Sequence, residues 1–249
     1  KTLIPPLLVG GLFCGLVILE PNMSITMCIG LVLIIMLFLG GISFKHFACL
    51  AVPGVLAVPA LIFMEPYRVK RLMAFLNPWA SPQAEGFQLI QSLYGLGAGG
   101  LFGVGLFNSR QKYSFLPFAE SDFIFSIIGE ELGFIGAMFI VLVFVVLVAC
   151  LIIIARRAKT RFGMLFVAGV ASVIAVQTIL NIAVVTGSIP PTGLPLPFIS
   201  AGSTSLIVFM SAIGLCLNIS KKSKTSNIGE VTVIENKKLN KFFRKVRVK

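Results

Sequence analysis

Acidic residues are what this sequence has least of. Its 249 residues carry eight Glu and a single Asp, Asp122, against 21 Lys and Arg. There is one His, His46, which excludes a His-based catalytic triad by count and a His/Cys metal cluster with it. The five cysteines, Cys14, Cys28, Cys49, Cys150 and Cys216, fall in apolar runs without metal-ligand spacing and read as small buried hydrophobes. Charged residues make up 12% of the chain, about half the share of an ordinary soluble domain. With 57% hydrophobic residues and a mean hydropathy of +1.00, that scarcity rules out a soluble domain, a secreted disulfide scaffold and a disordered chain. The sequence is that of a membrane protein.

A helix crosses roughly 30 Å of hydrocarbon with about 20 mostly apolar residues. Six such runs are present, over residues 3–19, 23–44, 47–64, 123–155, 163–187 and 204–219. The expected fold is therefore all-α: a polytopic helical membrane protein with a membrane domain over 1–219, a large helical extracytoplasmic loop over 65–121 and a basic cytoplasmic tail over 220–249. Neither an initiator Met nor a signal-peptide pattern precedes the first run, so the chain is expected to be the C-terminal part of something longer. If the tail is inside, six spans put sixteen of the 21 basic residues in the cytoplasm, as the positive-inside rule asks. The other five, Arg68, Lys70, Arg71, Arg110 and Lys112, share the outer loop and suggest a specific anionic ligand there. The tail reads as a topology-fixing segment that touches anionic lipid; no recognition motif supports nucleic-acid binding.

Asp122 stands where the outer loop meets the fourth run, in Leu116-Pro-Phe-Ala-Glu-Ser-Asp-Phe-Ile-Phe, with Pro117 closing the loop. Ser121 and Asp122 both suit the first turn of a helix, so a capping role for Asp122 competes with a functional one. The fourth run is too long: 33 residues make about 50 Å of helix, which must tilt, bend or project outward. It also carries Gly129-Glu-Glu-Leu-Gly133, whose carboxylates need protein, water or a basic partner and whose glycines suit a close helix contact. These features place its first third at or above the outer interface, with a bend near Gly129–Gly136. Gly95-Leu-Gly-Ala-Gly-Gly100 matches a dinucleotide-binding pattern, but no strand or βαβ unit surrounds it. Phe87, Ile90 and Tyr94 recur at helical spacing, with Gln88 and Gln91 between, as in a short interfacial helix. Four prolines lie in the Ser188–Ser203 loop, and non-helical backbone beside a membrane is expected to wall a site. With His46 in the expected cytoplasmic turn, acid–base chemistry falls to outer carboxylates.

At these residues the sequence resembles the SEDS family (shape, elongation, division and sporulation), which includes FtsW, RodA and SpoVE. The match runs up to the tail and rests on Pro66-Tyr-Arg-Val-Lys-Arg-Leu, Asn77-Pro-Trp, Gly86-Phe-Gln-Leu-Ile-Gln-Ser-Leu, Ser109-Arg-Gln-Lys, Asp122-Phe-Ile-Phe, Gly129-Glu-Glu-Leu-Gly and Leu196-Pro-Phe-Ile-Ser. The Asn-Pro-Trp element is most like the division and sporulation branch. Where the family has Gln-Pro-Asp-x-Gly, this chain has Glu20-Pro-Asn-Met-Ser24.

The resemblance implies an inner-membrane peptidoglycan glycosyltransferase of about ten spans, of which this chain would supply the last six. Such enzymes polymerise lipid II with a class B penicillin-binding protein and other divisome proteins as partners. The family's essential Asp aligns with Asp122, which would act as general base while the lipid pyrophosphate departs, with inversion at the sugar. Arg68, Arg71 and Lys112, then Lys70 and Arg110, are the expected counter-charges for that pyrophosphate, and Glu131, Gln91 and Ser200 are expected to support the site. No cofactor is certain, although a divalent cation, Mg or Mn, could share the charge. The rival readings are a flippase for lipid-linked precursors and a non-catalytic scaffold for the penicillin-binding protein.

Overall fold

The computed structural model describes residues 4–20, 22–114 and 121–222, so Pro117 and all but the first residues of the basic tail lie outside it. Its long helices are α1 (Ile4–Leu19), α2 (Met23–Leu39), α3 (Phe44–Phe63), α7 (Ile124–Arg157), α8 (Arg161–Val185) and α9 (Ser203–Lys222). Between α3 and α7 come α4 (Pro66–Leu76), a 3-10 turn (Pro78–Ala80), α5 (Phe87–Gly99) and α6 (Arg110–Ser114). All regular elements among the described residues are helical, as the run lengths imply. Helices α7, α8 and α9 are long and apolar enough to cross a membrane, and α1 and α2 are shorter apolar helices.

The ends of these helices are set by local chemistry. Asn22 Oδ1 accepts from Ile25 N at 3.2 Å to start α2, and Thr160 Oγ1 accepts from Gly163 N at 3.1 Å to start α8. Helix α2 stops five residues earlier than expected because Gly40-Gly41 follow it, with Gly41 at a left-handed φ of 90°. Ser43 is then the N-cap of α3, and His46 falls in the first turn of that helix rather than in a turn between helices. Arg161 Nη2 donates to Gly40 O at 2.8 Å, a cation on the C-terminal carbonyls of α2. This contact ties α2 to α8 on the side of the molecule that carries Arg156, Arg157 and Lys159, the basic side.

The core lies between α7 and α8, where Phe144, Leu151 and Ala155 pack on Val167, Ala171 and Ile174, with Cys216 of α9 closing it. The outward surface of α7, including Phe139, Leu142, Val145 and Val146, is apolar and exposed. The opposite, loop side carries residues 64–114 and 186–202.

Candidate active site

On the loop side, α7 is interrupted. Gly133 adopts φ 71° and ψ −171°, so the bend expected near Gly129–Gly136 is present, and its cause is a crossing of chains. In an unbroken helix, Phe134 N would donate to Glu130 O and Ile135 N to Glu131 O. Here Phe134 N donates to Gly100 O at 2.9 Å and Ile135 N to Leu101 O at 3.2 Å. The released carbonyls accept from the same loop: Glu130 O from Val104 N at 2.9 Å and Glu131 O from Gly105 N at 3.1 Å. Residues 100–105 thus enter the helical ladder and satisfy all four backbone groups.

Only glycine fits this crossing. A Cβ on Gly99 would collide with Gly129 O, and one on Gly103, itself at φ 81°, with Glu131 O. The Gly95–Gly100 stretch and the Gly129–Gly133 pair are therefore two sides of one backbone contact. Beyond Gly133, the 24 residues to Arg157 make about 36 Å of helix, enough to cross the hydrocarbon alone. Ile124–Leu132 is left to stand above it.

The break orients Glu130 inward. It is 2% exposed; Oε2 accepts from Ser109 Oγ at 2.5 Å and from Gln111 N at 3.4 Å, and Oε1 accepts from Arg110 N at 3.0 Å. Ser109 Oγ in turn accepts from Lys112 N at 3.0 Å as the N-cap of α6. One buried carboxylate thus fixes the segment that bears Arg110 and Lys112. Of the two adjacent glutamates, the expectation chose Glu131 for support, yet Glu131 is half-buried and Glu130 is the residue wired into the fold.

Asp122 does not cap α7. The N-cap position is Phe123, with no side-chain cap bond, and Asp122 Oδ1 instead accepts from Ser121 Oγ at 2.6 Å. Its backbone is clamped by two other elements. Ser200 Oγ donates to Ser121 O at 2.6 Å and accepts from Leu196 N at 2.7 Å. Asn181 of α8, 1% exposed, donates through Nδ2 to Asp122 O at 2.7 Å and to Leu194 O at 2.8 Å. Ser126 Oγ donates to Ser92 O at 2.8 Å and Ser92 Oγ to Val185 O at 2.9 Å, which pins α5 between α7 and α8 beneath the same segment. Asp122 Oδ2 faces Gly193, where an added Cβ would sit 3.5 Å away. The proline-rich loop walls Asp122, as its composition suggested.

The cations divide. Arg71 Nη1 reaches Pro191 O at 3.5 Å, and its guanidinium lies 4.6 Å over the Tyr67 ring, so it sits against the loop that walls Asp122. Arg68 Nη1 donates to Leu61 O at 2.7 Å, in the last turn of α3. That carbonyl has no intrahelical donor, which is why Arg68 turns back to α3 rather than joining Arg71. Lys70 and Arg110 are exposed, and Lys112 and Gln91 are half-buried. Asn181 carries two of the site's hydrogen bonds and is not among the residues expected from sequence, although a polar residue inside an apolar run is a signal of function. Glu130 stands out in the sequence as a costly carboxylate, and its bonds to Ser109, Arg110 and Gln111 come from the fold. The described residues hold no group of three or more His, Cys, Asp or Glu able to grip a metal ion.

Residues 1–225 match the family of FtsW, RodA and SpoVE, described as cell cycle proteins. Stage V sporulation protein E of Bacillus subtilis is 48% identical over 191 residues, 77% of this chain and 52% of that protein. The probable peptidoglycan glycosyltransferase FtsW of Coxiella burnetii is 40% identical over 227 residues, 90% of this chain and 61% of that protein. Among solved structures, a peptidoglycan synthase complex that coordinates polymerization and crosslinking matches at 28% identity and a TM-score of 0.72, covering 88% of this chain and 62% of its own. The rod shape determining protein RodA of Thermus thermophilus, at 24% identity and a TM-score of 0.57, shares the fold. The chain spans between half and two thirds of the length of these relatives.

Proposed function

The chain belongs to the FtsW, RodA and SpoVE family of cell cycle proteins, and from that premise we propose that it is a peptidoglycan glycosyltransferase, polymerising lipid II into β-1,4 glycan in division or sporulation. The observation that carries the reading is the way Asp122 is held. Ser200 and Asn181 fix the peptide groups before and after the Asp122 Cα, while the carboxylate is turned toward the 188–202 loop and away from capping duty. A group immobilised by its backbone, with its side chain facing a walled space, suits a general base.

Lipid II keeps its polyprenyl tail in the bilayer and presents its sugars at the outer surface, the level to which the loop side corresponds if both termini are cytoplasmic. In the proposed step Asp122 accepts the proton of the acceptor sugar's 4-hydroxyl. That oxygen bonds to the donor's anomeric carbon as the carbon–oxygen bond to the pyrophosphate breaks, and the electron pair leaves with the pyrophosphate. Single displacement inverts the centre. Arg71 is the leading counter-charge for the leaving group, with Lys112, carried on the segment that Glu130 fixes, next; Lys70 and Arg110 are peripheral and Arg68 is committed to α3. A divalent cation, Mg or Mn, would share the charge of the leaving pyrophosphate through its phosphate oxygens, leaving Asp122 to the acceptor hydroxyl. Crosslinking would come from a class B penicillin-binding protein, within a larger division assembly.

The test is polymerisation of purified lipid II by the full-length protein and its Asp122→Asn variant. The variant keeps the shape and removes the base, so glycan synthesis should fall about 10²–10⁴-fold with folding and partner binding near normal. A flippase would move lipid II across vesicles without making glycan, and a scaffold would make none under any partner.

A further inference from the structure

On the basic side a second feature stands apart from the Asp122 site. A wholly apolar groove of about 480 Å³ runs between α2, α8 and α9, lined among others by Met36, Phe162, Phe166, Gly169, Val173 and Phe209. Its lining begins at Phe162, in the first turn of α8, and reaches Val173. That is eleven residues along the helix, about 16 Å at 1.5 Å per residue. One leaflet of hydrocarbon is about 15 Å deep, half the thickness of the core. The groove therefore has the depth of a single leaflet and stops near the midplane. Gly169 opens it: an ideal Cβ there would stand 3.4 Å from Met36 Sδ and 3.5 Å from Met36 Cε across the gap.

The mouth is cationic. Arg161 precedes Phe162 and lies across the α2–α8 gap, with Nη2 on Gly40 O, one turn beyond Met36. Arg156, Lys159 and Arg161 are exposed, and the sequence from 132 to 229 carries no acidic residue. An apolar slot one leaflet deep beneath exposed cations has the form of an anionic phospholipid: an acyl chain in the slot and a phosphate at its rim.

We infer that this groove is a binding site for an anionic phospholipid of the cytoplasmic leaflet, its acyl chain between α2, α8 and α9 and its headgroup phosphate on the Arg156–Arg161 cluster. The inference rests on the membrane orientation proposed above and is independent of the polymerase chemistry. A bound lipid would fill a seam between three helices that their own side chains leave open, and would fix the basic turn at the membrane surface.

Native mass spectrometry of the full-length protein, released from bilayers of equal phosphatidylglycerol and phosphatidylcholine, tests it. A retained phosphatidylglycerol adduct is expected. Gly169→Leu and Ala212→Leu, the latter at a lining residue of α9, fill the slot and should each abolish it, with thermal unfolding showing that at least one variant remains folded. Arg156→Gln with Lys159→Gln leaves the slot open, so lipid should still bind, with the preference for phosphatidylglycerol reduced about fivefold for each cation removed. An adduct that survives both filling variants, a preference unchanged by the charge variant, or no adduct at all because another segment of the polypeptide occupies the slot would each overturn the assignment. Since polymerisation is read separately, failure here is distinguishable from failure of the Asp122 mechanism.

Discussion

Asn181, buried in α8, holds the backbone carbonyl of Asp122 at 2.7 Å. Its amide bridges to Leu194 O as well, so one side chain fastens the start of α7 to the proline-rich loop that walls Asp122. Asn181→Leu keeps the volume and removes both donors, leaving two carbonyls whose desolvation costs about 1–3 kcal/mol each if no water replaces the amide. A catalytic group displaced by about 1 Å can lose about 10²-fold in rate. The expected result is a kcat for glycan synthesis reduced toward that limit with KM little changed. A loss of thermal stability with kcat intact would make Asn181 a structural tie alone.

Glu130 and Glu131 are adjacent, and the structure assigns them opposite importance. Glu130→Gln replaces one acceptor oxygen with an amino group that meets either Ser109 Oγ and the Gln111 amide or the Arg110 amide donor to donor. Losing a buried charge-assisted partner of this kind is worth about 1–3 kcal/mol. Glu131→Gln changes a half-buried side chain and should stay within about 0.5 kcal/mol. Thermal unfolding of the two variants side by side checks the ranking, and equal melting temperatures would contradict it.

Much of the fold was legible because crossing a bilayer demands length and hydropathy, and both are local. The fourth apolar run, 123–155, is helical over Ile124–Arg157, and the fifth, 163–187, is helical over Arg161–Val185. The end of α2 was misplaced because Gly40-Gly41 lie inside an apolar stretch, and hydropathy does not register a left-handed φ. The bend in α7 followed from length, but its cause did not, since the atoms that replace its helical bonds come from residues 100–105, some thirty positions away. Asp122 is conspicuous as the only Asp, and Ser200 Oγ bonds to the carbonyl of Ser121 beside it. Choosing between Glu130 and Glu131 required knowing which face of a broken helix turns inward, and that is decided by tertiary contact. Arg68 and Arg71 likewise lie on one short helix, and only the position of the α3 carbonyls separates their roles.

Gly97 and Gly99, two residues apart on α5, should respond to alanine in opposite directions. Gly97 has open space where a Cβ would go, so Gly97→Ala should stabilise the helix by about 0.5–1 kcal/mol. Gly99→Ala drives a methyl into Gly129 O and should lower the melting temperature sharply. Gly103→Ala drives its methyl into Glu131 O and adds a left-handed φ, for which strain alone costs about 1–3 kcal/mol. If Gly99→Ala were as stable as Gly97→Ala, the close crossing of α5 and α7 would be wrong.

The orientation is checked by thiol labelling. Glu85 is exposed in the segment between the 3-10 turn and α5, so Glu85→Cys, in a background without reactive cysteines, should react with an impermeant reagent added outside intact cells. Labelling only after the cytoplasmic face is opened would invert the topology and remove the Asp122 site from the level of the lipid II sugars.

Arg68 and Arg71 offer the sharpest test of which cation serves the leaving group. Both are half-buried on α4, both carry the same charge, and they differ in direction: Arg71 toward Pro191 and the wall of the Asp122 site, Arg68 toward Leu61 at the end of α3. Removing one preorganised donor to a developing anion commonly costs about 10²–10³ in kcat. Arg71→Gln should therefore depress glycan polymerisation to that extent while leaving thermal stability close to the parent, because its long contact to Pro191 O at 3.5 Å contributes little to folding. Arg68→Gln removes a 2.7 Å bond to a helix-end carbonyl and should show itself in unfolding before it shows in turnover. The reverse pattern, with polymerisation failing in Arg68→Gln and unaffected in Arg71→Gln, would move the pyrophosphate to the α3 side of α4 and away from the loop that faces Asp122.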